Sequence, residues 1–373
     1  MYYLDNSATT AVGSKAVQAV LDVMTNNFGN PSSLHKLGYE ASLVLDKARL
    51  VIANSIGCDN REVYFTSGGT EANNLAVLGA AEARKRRGNK IVTTAIEHPS
   101  VLESMKELEN RGFEVTYLSP NEKGEITVKQ LSDAIDEKTV LVSVMTVNNE
   151  TGLILPTDKI ASIIKRKKSN ALFHTDFVQG YGKINCKVKK IGCDLLTVSA
   201  HKVHAPKGVG ALYIKKGVNI KPRSFGGLQE SKIRCGTEAL PFIAGFAEAV
   251  NEFDVGGNFA KVSSLNEYCV EKLREIPEVV INSSDFPYII NISTNCVMSQ
   301  TMLSFLSDKY GVYVSSGSAC HKGELSHVLK AYGYDARRIN SALRISFCES
   351  NTTKDVDMFI TALKDGLNTL VRF

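Results

Sequence analysis

Residues 62–94 read EVYFTSGGTEANNLAVLGAAEARKRRGNKIVTT. The β-branched and aromatic run Glu62–Thr66 predicts a strand, and Ser67-Gly-Gly69 breaks it. Glu71 to Arg87 carries apolar residues at helical spacing and predicts a helix that Gly88 ends. Lys90–Thr94 then predicts a second strand. Strand, glycine turn, helix and strand form the unit from which parallel sheets are built, because parallel neighbours need a long crossover.

The same alternation continues in both directions. A helix is expected from about Ser100 to Asn110, followed by a strand at Phe113–Leu118. Val140–Val147 is a continuous apolar run, as a strand covered on both faces requires. Ala171–Thr175 and Leu195–Ser199 each read as an apolar strand with a polar tip. Glycines around Asp254–Asn258 mark a break, and a helix (Phe259–Glu275), a strand (Tyr288–Ile292), a helix (Gln300–Lys309) and a strand (Val312–Val314) follow. The expected architecture is α/β. A large, mostly parallel sheet domain spans 13–255, and a smaller α+β domain is made of 1–12 and 256–373.

Composition narrows the function classes. The chain has 373 residues, 43% hydrophobic and 22% charged, with a formal charge of +5. Those values suit a soluble globular protein. No stretch approaches the roughly 18 apolar residues of a membrane span. The N-terminal MYYLDNSATT has no basic-then-apolar pattern, so no secretory signal is expected there. Eight scattered cysteines without CxxC pairs suggest reduced thiols and a cytoplasmic setting. The basic runs at Arg84–Arg87, Lys165–Lys168 and Lys187–Lys190 lack interleaved aromatics. Solvated helix ends explain the first two, and no nucleic-acid partner is expected.

Polar residues gather at the C-terminal tips of the predicted strands, where ligands of open α/β sheets bind. Thr66–Glu71 could bring a helix N-terminus and glycine backbone to an anion, although a plain helix cap reads the same way. It lacks the GxxxxGK[ST] form, so a nucleoside triphosphate is disfavoured. Asp176 is a carboxylate beyond a buried strand, suited to a protonated ring nitrogen or to capping a helix. Lys202, in Ser199-Ala-His-Lys202, could form a Schiff base if desolvated, or be an ordinary surface lysine. His201-x-x-His204 has no obvious third ligand, and no metal is expected. Cys320 lies in the small polar loop Val314–Glu324 beside His321 and Lys322, where a thiolate would be favoured. Cys193 and Cys348, in apolar runs, read as structural.

Taken in order, these segments resemble one family. They are Tyr3-Leu-Asp-Asn-Ser-Ala-Thr-Thr10, Phe28-Gly-Asn-Pro-Ser-Ser33, Thr66–Asn73, Glu97-His98, Val147–Gly152, His174-Thr-Asp176 with Gln179, Ser199–Lys202, Arg234–Glu238, Ser315–Cys320 and Leu343–Ser346. The set resembles the aminotransferase class V group of fold-type I pyridoxal-phosphate enzymes, and within it the NifS/IscS-like cysteine desulfurases. The resemblance implies pyridoxal 5'-phosphate as cofactor, L-cysteine as substrate, alanine as product and a persulfide on Cys320. It implies that Lys202 holds the cofactor and moves the substrate Cα proton, that Asp176 faces the pyridine nitrogen, and that His98 stacks on the ring. Gly69, Thr70, Ser199 and His201 would hold the phosphate, with Thr237 reaching in from the second subunit of a homodimer. Asn149 and Gln179 would contact the ring oxygen or substrate, and Arg344 the substrate carboxylate. A sulfur-acceptor protein is the implied partner.

The chain also departs from the family pattern. The segment usually written GGGQERGLRSGT stands here as Gly226-Gly-Leu-Gln-Glu-Ser-Lys-Ile-Arg-Cys-Gly-Thr237. Ala200 replaces a common glycine, and the stretch from Cys320 to Ser326 is about two residues shorter than in typical relatives. A shorter loop restricts how far a persulfide swings, which leaves the acceptor open. A selenocysteine lyase on the same fold, or a non-catalytic cofactor-binding dimer, would carry the same cofactor residues.

Overall fold

A computed structural model describes residues 1–121, 123–283, 285–316 and 325–373. Cys320 therefore lies outside the described residues. The strands are β1 (Tyr2–Tyr3), β2 (Val63–Thr66), β3 (Lys90–Thr94), β4 (Glu114–Leu118), β5 (Thr139–Ser143), β6 (Leu172–Asp176), β7 (Leu195–Ser199) and β8 (Gly210–Ile214), then β9 (Val280–Ser283), β10 (Ile289–Ser293), β11 (Val312–Tyr313) and β12 (Ala342–Ser346). The first four helices are α1 (Ser14–Thr25), α2 (Lys36–Ile56), α3 (Gly69–Arg84) and α4 (Pro99–Asn110).

Seven strands form one sheet in the order β2-β8-β7-β6-β5-β3-β4. The pairs from β4 through β3, β5 and β6 to β7 are parallel. β8 runs antiparallel between β7 and β2. Consecutive residues of the central strands serve opposite faces. Val92, Val142, Phe173 and Leu196 pack into a core shared with α2 and the helices Thr157–Arg166 and Leu240–Asn251. Ile91, Leu141, Leu172 and Leu195 pack into another shared with α3 and α4. Burial on both faces, at about 1.5–3 kcal/mol for each large aliphatic side chain, is why these strands lack polar alternation.

Several expectations shift in detail. The run 140–147 yields a strand ending at Ser143, where pairing to β3 stops. Beyond it, Val144 and Thr146 donate only to the carbonyls of His174 and Asp176. Asp176 is the last residue of its strand, not a residue beyond it. Gly256 and Gly257 are not a break but the first turn of the helix Val255–Arg274, capped by Asp254, which accepts from Gly257 N at 3.0 Å. β8, β9 and β12 were not anticipated as strands. β8 opens on Gly210, a poor strand former, where a Cβ would come within 2.8 Å of Gly68 Cα. The glycine is what lets β8 run beside the Ser67–Gly69 loop.

A second sheet, β12-β10-β9, is antiparallel. It packs with the helices Val255–Arg274, Ser299–Tyr310 and Thr353–Thr369 in a core that includes Leu4, Ile290, Met302, Leu343 and Phe359. β1 pairs in parallel with β11. The N-terminus thus begins against the smaller sheet's neighbours before crossing to the large one. Among the described residues, no helix is long and apolar enough to cross a membrane, and the seven cysteines are all free.

Candidate active site

The parallel strands deliver their polar tips to one edge of the large sheet. At β2 the chain turns through Ser67-Gly68-Gly69 into α3, whose cap, Gly68, offers no side-chain acceptor to the first amides. Those N–H groups and the helix dipole are left to an anion. Gly68 has φ +151°, a conformation that favours glycine. The cleft above holds about 450 Å³ and is lined by Gly68, Gly69, Thr70, Ser199, His201 and Lys207, among others. Ser199 Oγ is buried and has no hydrogen-bond partner among the described residues. A buried hydroxyl is seldom left so, and a phosphate group on this cleft would supply the missing partner. Burial and the nearby Lys202 and Lys207 ammoniums push His201 down to about 4, so the ring is neutral and donates through only one nitrogen.

Lys202 ends the 3₁₀ turn that follows β7. Its Nζ donates to the carbonyls of Ser7, at 2.5 Å, and Ala8, at 2.7 Å. Burial, then the charges of Arg344 and Lys183, bring its pKa down to about 7. It is therefore a lysine half neutral near physiological pH, as a carbonyl-trapping amine needs. Asp176 accepts from Asn73 Nδ2 at 2.7 Å and from Val178 N at 2.9 Å. Asn73 and Val178 are uncharged, so its charge faces the site unneutralised by any ion pair among the described residues. His98 caps α4 through Nδ1, which accepts from Ser100 N at 3.2 Å. Burial lowers its pKa against the opposing pull of Asp176.

Arg344 projects from β12 into the same region. Its Nη1 donates to Asn149 O and its Nη2 pairs with Asp5 Oδ1, both at 2.8 Å. Gln179 donates through Nε2 to Ser7 O at 3.0 Å and accepts from Lys183 Nζ at 3.3 Å. Gly69, Thr70, Asn149, Asp176, Gln179, Ser199, His201, Lys202, His98 and Arg344 are thus drawn from separate stretches to one edge. Thr237 is not: it is exposed and absent from the cleft lining. His201 and His204 also part company, His201 lining the cleft and His204 turning towards Glu349.

The sequence reading gave no role to Asn73, Asp5, Lys183 or the Ser7 and Ala8 carbonyls. Asn73 was detectable, since it lies one helical turn after Gly69 in a motif otherwise read for its glycines. Backbone carbonyls carry no residue signal. Glu97, wholly buried, is raised to about 8 by burial; it accepts from Thr94 Oγ1 at 2.7 Å and Met145 N at 3.0 Å.

An anion cradle, a carboxylate, a low-pKa amine and a guanidinium at one sheet edge suit a phosphorylated pyridine aldehyde and an amino-acid substrate. The residues fit the cofactor expected from the sequence. The family model for aminotransferase class-V matches residues 2–359. A cysteine desulfurase IscS of Methanosarcina thermophila is 40% identical over 375 residues, covering 99% of this chain and 92% of the relative. A solved NifS-like protein superposes with a TM-score of 0.93 at 37% identity, covering 99% of both chains. A solved SspA in complex with cysteine superposes with a TM-score of 0.83 at 31% identity, covering 94% of this chain and 100% of that one. With fold, site and sequence in agreement over nearly its whole length, the chain belongs to the aminotransferase class-V family.

Proposed function

We propose that this protein is a pyridoxal-phosphate-dependent cysteine desulfurase that converts L-cysteine to L-alanine and holds the sulfur on Cys320 as a persulfide. The observation that carries this reading is Lys202, which donates to the carbonyl of Ala8 in the lining of the anion cradle and is lowered to about 7 by burial and the Arg344 charge.

The cofactor, when bound, supplies an electron sink that makes the substrate's Cα proton and Cβ–S bond labile. Gly69, Thr70, Ser199 and His201 hold its phosphate, and Asp176 keeps a proton on its ring nitrogen. Lys202 would hold it and, as a neutral amine, would move the substrate's Cα proton. Arg344 grips the substrate carboxylate through its planar fork. His98 would cover the ring, and Asn149 and Gln179 would orient the ring oxygen and substrate. The Cys320 thiolate attacks the substrate sulfur; an S–S bond forms, the Cβ–S bond breaks, and the electron pair leaves with carbon that is protonated to alanine.

The same reading divides the chain into a large domain, 13–255, and a smaller one of 1–12 and 256–373. It makes the protein a cytoplasmic homodimer that passes sulfur to an acceptor protein. The dimer is supported by apolar side chains that α1, α2 and their connection leave exposed, including Met24, Phe28 and Leu34. Tyr39, Leu43 and Leu50 form one stripe along α2. Phe225 and Leu228 are exposed in the segment leading to Thr237, which would then reach the partner's cradle.

The test is alanine release from L-cysteine with a thiol reductant, compared with Cys320→Ala. Release should collapse in the variant while the cofactor's visible absorption persists. No release from the native, cofactor-loaded protein would sink the proposal.

A further inference from the structure

Outside the cleft, three ligand-bearing side chains converge that the reaction does not use. His204, Cys348 and Glu349 place their donor atoms within 4.8 Å of one another. His204 Nε2 lies 3.2 Å from Glu349 Oε1. Cys348 is buried, and its Sγ lies 3.1 Å from Ser350 Oγ. Its place in an apolar run had suggested packing alone.

The imidazole is oriented from behind. Nδ1 lies 3.0 Å from the carbonyl of Ala11, which can only accept, so Nδ1 carries a proton. That hydrogen bond leaves Nε2 as the ring nitrogen that faces Glu349 and Cys348, the arrangement usual for metal-bound histidine, and it fixes the ring's direction. The histidine backbone, at φ +59°, is pinned by His204 N donating to Thr10 Oγ1 at 2.7 Å and Gly13 N donating to His204 O at 2.9 Å. Nε2 faces a carboxylate oxygen that only accepts, so a positive charge joins them: the proton of an imidazolium, which Cys348 and Glu349 favour, or a cation that takes that proton's place.

We propose that His204, Cys348 and Glu349 form a site for a borderline-soft divalent cation of the zinc class, separate from the cofactor site. One imidazole, one thiolate and one carboxylate are the donors zinc takes, with a fourth position left for water. Donor atoms in such a shell stand roughly 3–4 Å apart, so a modest side-chain rotation closes the set. The thiolate and carboxylate neutralise the dication.

The three ligands come from two places in the chain. His204 follows the turn carrying Lys202, and Cys348 and Glu349 follow β12, which carries Arg344. Ala11 belongs to the N-terminal strap whose Ser7 and Ala8 carbonyls hold Lys202. A bound ion would staple these segments together and fix the distance between the lysine and the guanidinium.

The test is titration of the cofactor-loaded protein with cobalt(II), then displacement by zinc(II). It is done in a Cys320→Ser background so that this thiol does not compete. Tetrahedral cobalt gives visible d–d bands at longer wavelengths than the cofactor absorbs. One equivalent should produce them, and zinc should abolish them. Cys348→Ser, His204→Gln and Glu349→Gln should each weaken binding on the order of 10-fold or more, with the cofactor's absorption retained as the folding control. Glu349, partly exposed, supplies the variant least able to disturb folding. Absence of the bands, or bands unchanged in all three variants, would overturn the proposal.

Discussion

Arg344 Nη2 stands 2.8 Å from Asp5 Oδ1, an ion pair joining β12 to the N-terminal strap with the arginine side chain only 5% exposed. The pair holds the guanidinium in place before substrate arrives, and a substrate carboxylate must share or displace Asp5. Arg344→Lys keeps the charge but loses the planar fork. It should lower kcat/KM for cysteine about 10- to 100-fold, the worth of one charged hydrogen bond. Steady-state kinetics at matched cofactor loading checks this; an unchanged kcat/KM would remove Arg344 from the substrate site.

Ser199 separates binding from stability. Its buried hydroxyl has no partner among the described residues, so Ser199→Ala should leave the apoprotein's urea midpoint nearly unchanged. Cofactor affinity should nevertheless fall about tenfold or more, as one bond to a charged phosphate is lost. A fluorescence titration paired with a urea melt distinguishes this from a packing role, which would move the melt instead.

Lys202 sets a pH dependence. Its pKa is depressed from 10.5 to about 7, chiefly by burial. The amine is therefore charged below that value and neutral above it. Cofactor capture by the apoprotein, followed by absorbance, should quicken about tenfold per pH unit below 7 and level off above it. A rate still climbing at pH 9 would mean that the lysine is not desolvated.

Glu230 should be a stability determinant. Both its oxygens receive Arg49, at 2.7 and 2.8 Å, and Phe65 N donates to it at 2.8 Å. This pairing anchors Glu230, Ser231 and Lys232, three successive non-glycine residues with φ of 44°, 52° and 65°. Glu230→Ala strands the arginine and releases that segment. The expected loss is about 3–5 kcal/mol in urea unfolding, with cofactor affinity falling too if Thr237 reaches a partner's cradle.

Much of this fold was legible because periodicity is a local property. The strands at 63–66, 90–94 and 172–176 follow, to within a residue, from apolar runs bounded by breakers, and α3 follows from its spacing. β8 escaped because its glycine, Gly210, serves a close approach to Gly68, which no local pattern expresses. The glycines at 256 and 257 misled for the converse reason: after an Asp254 cap, a helix tolerates them in its first turn.

For the site, the residues and their order along the chain were determined by the sequence itself, since most of its chemical groups are side chains whose type the sequence states. Their electrostatics were not. Lys202 becomes a low-pKa amine only because the fold buries it beside Arg344 and Lys183, and Arg344 is oriented only because Asp5 and Asn149 arrive from distant segments. The meeting of His204 with Cys348 and Glu349 spans more than 140 residues. Desolvation and long-range pairing depend on what surrounds a group in space, and only the tertiary structure decides that.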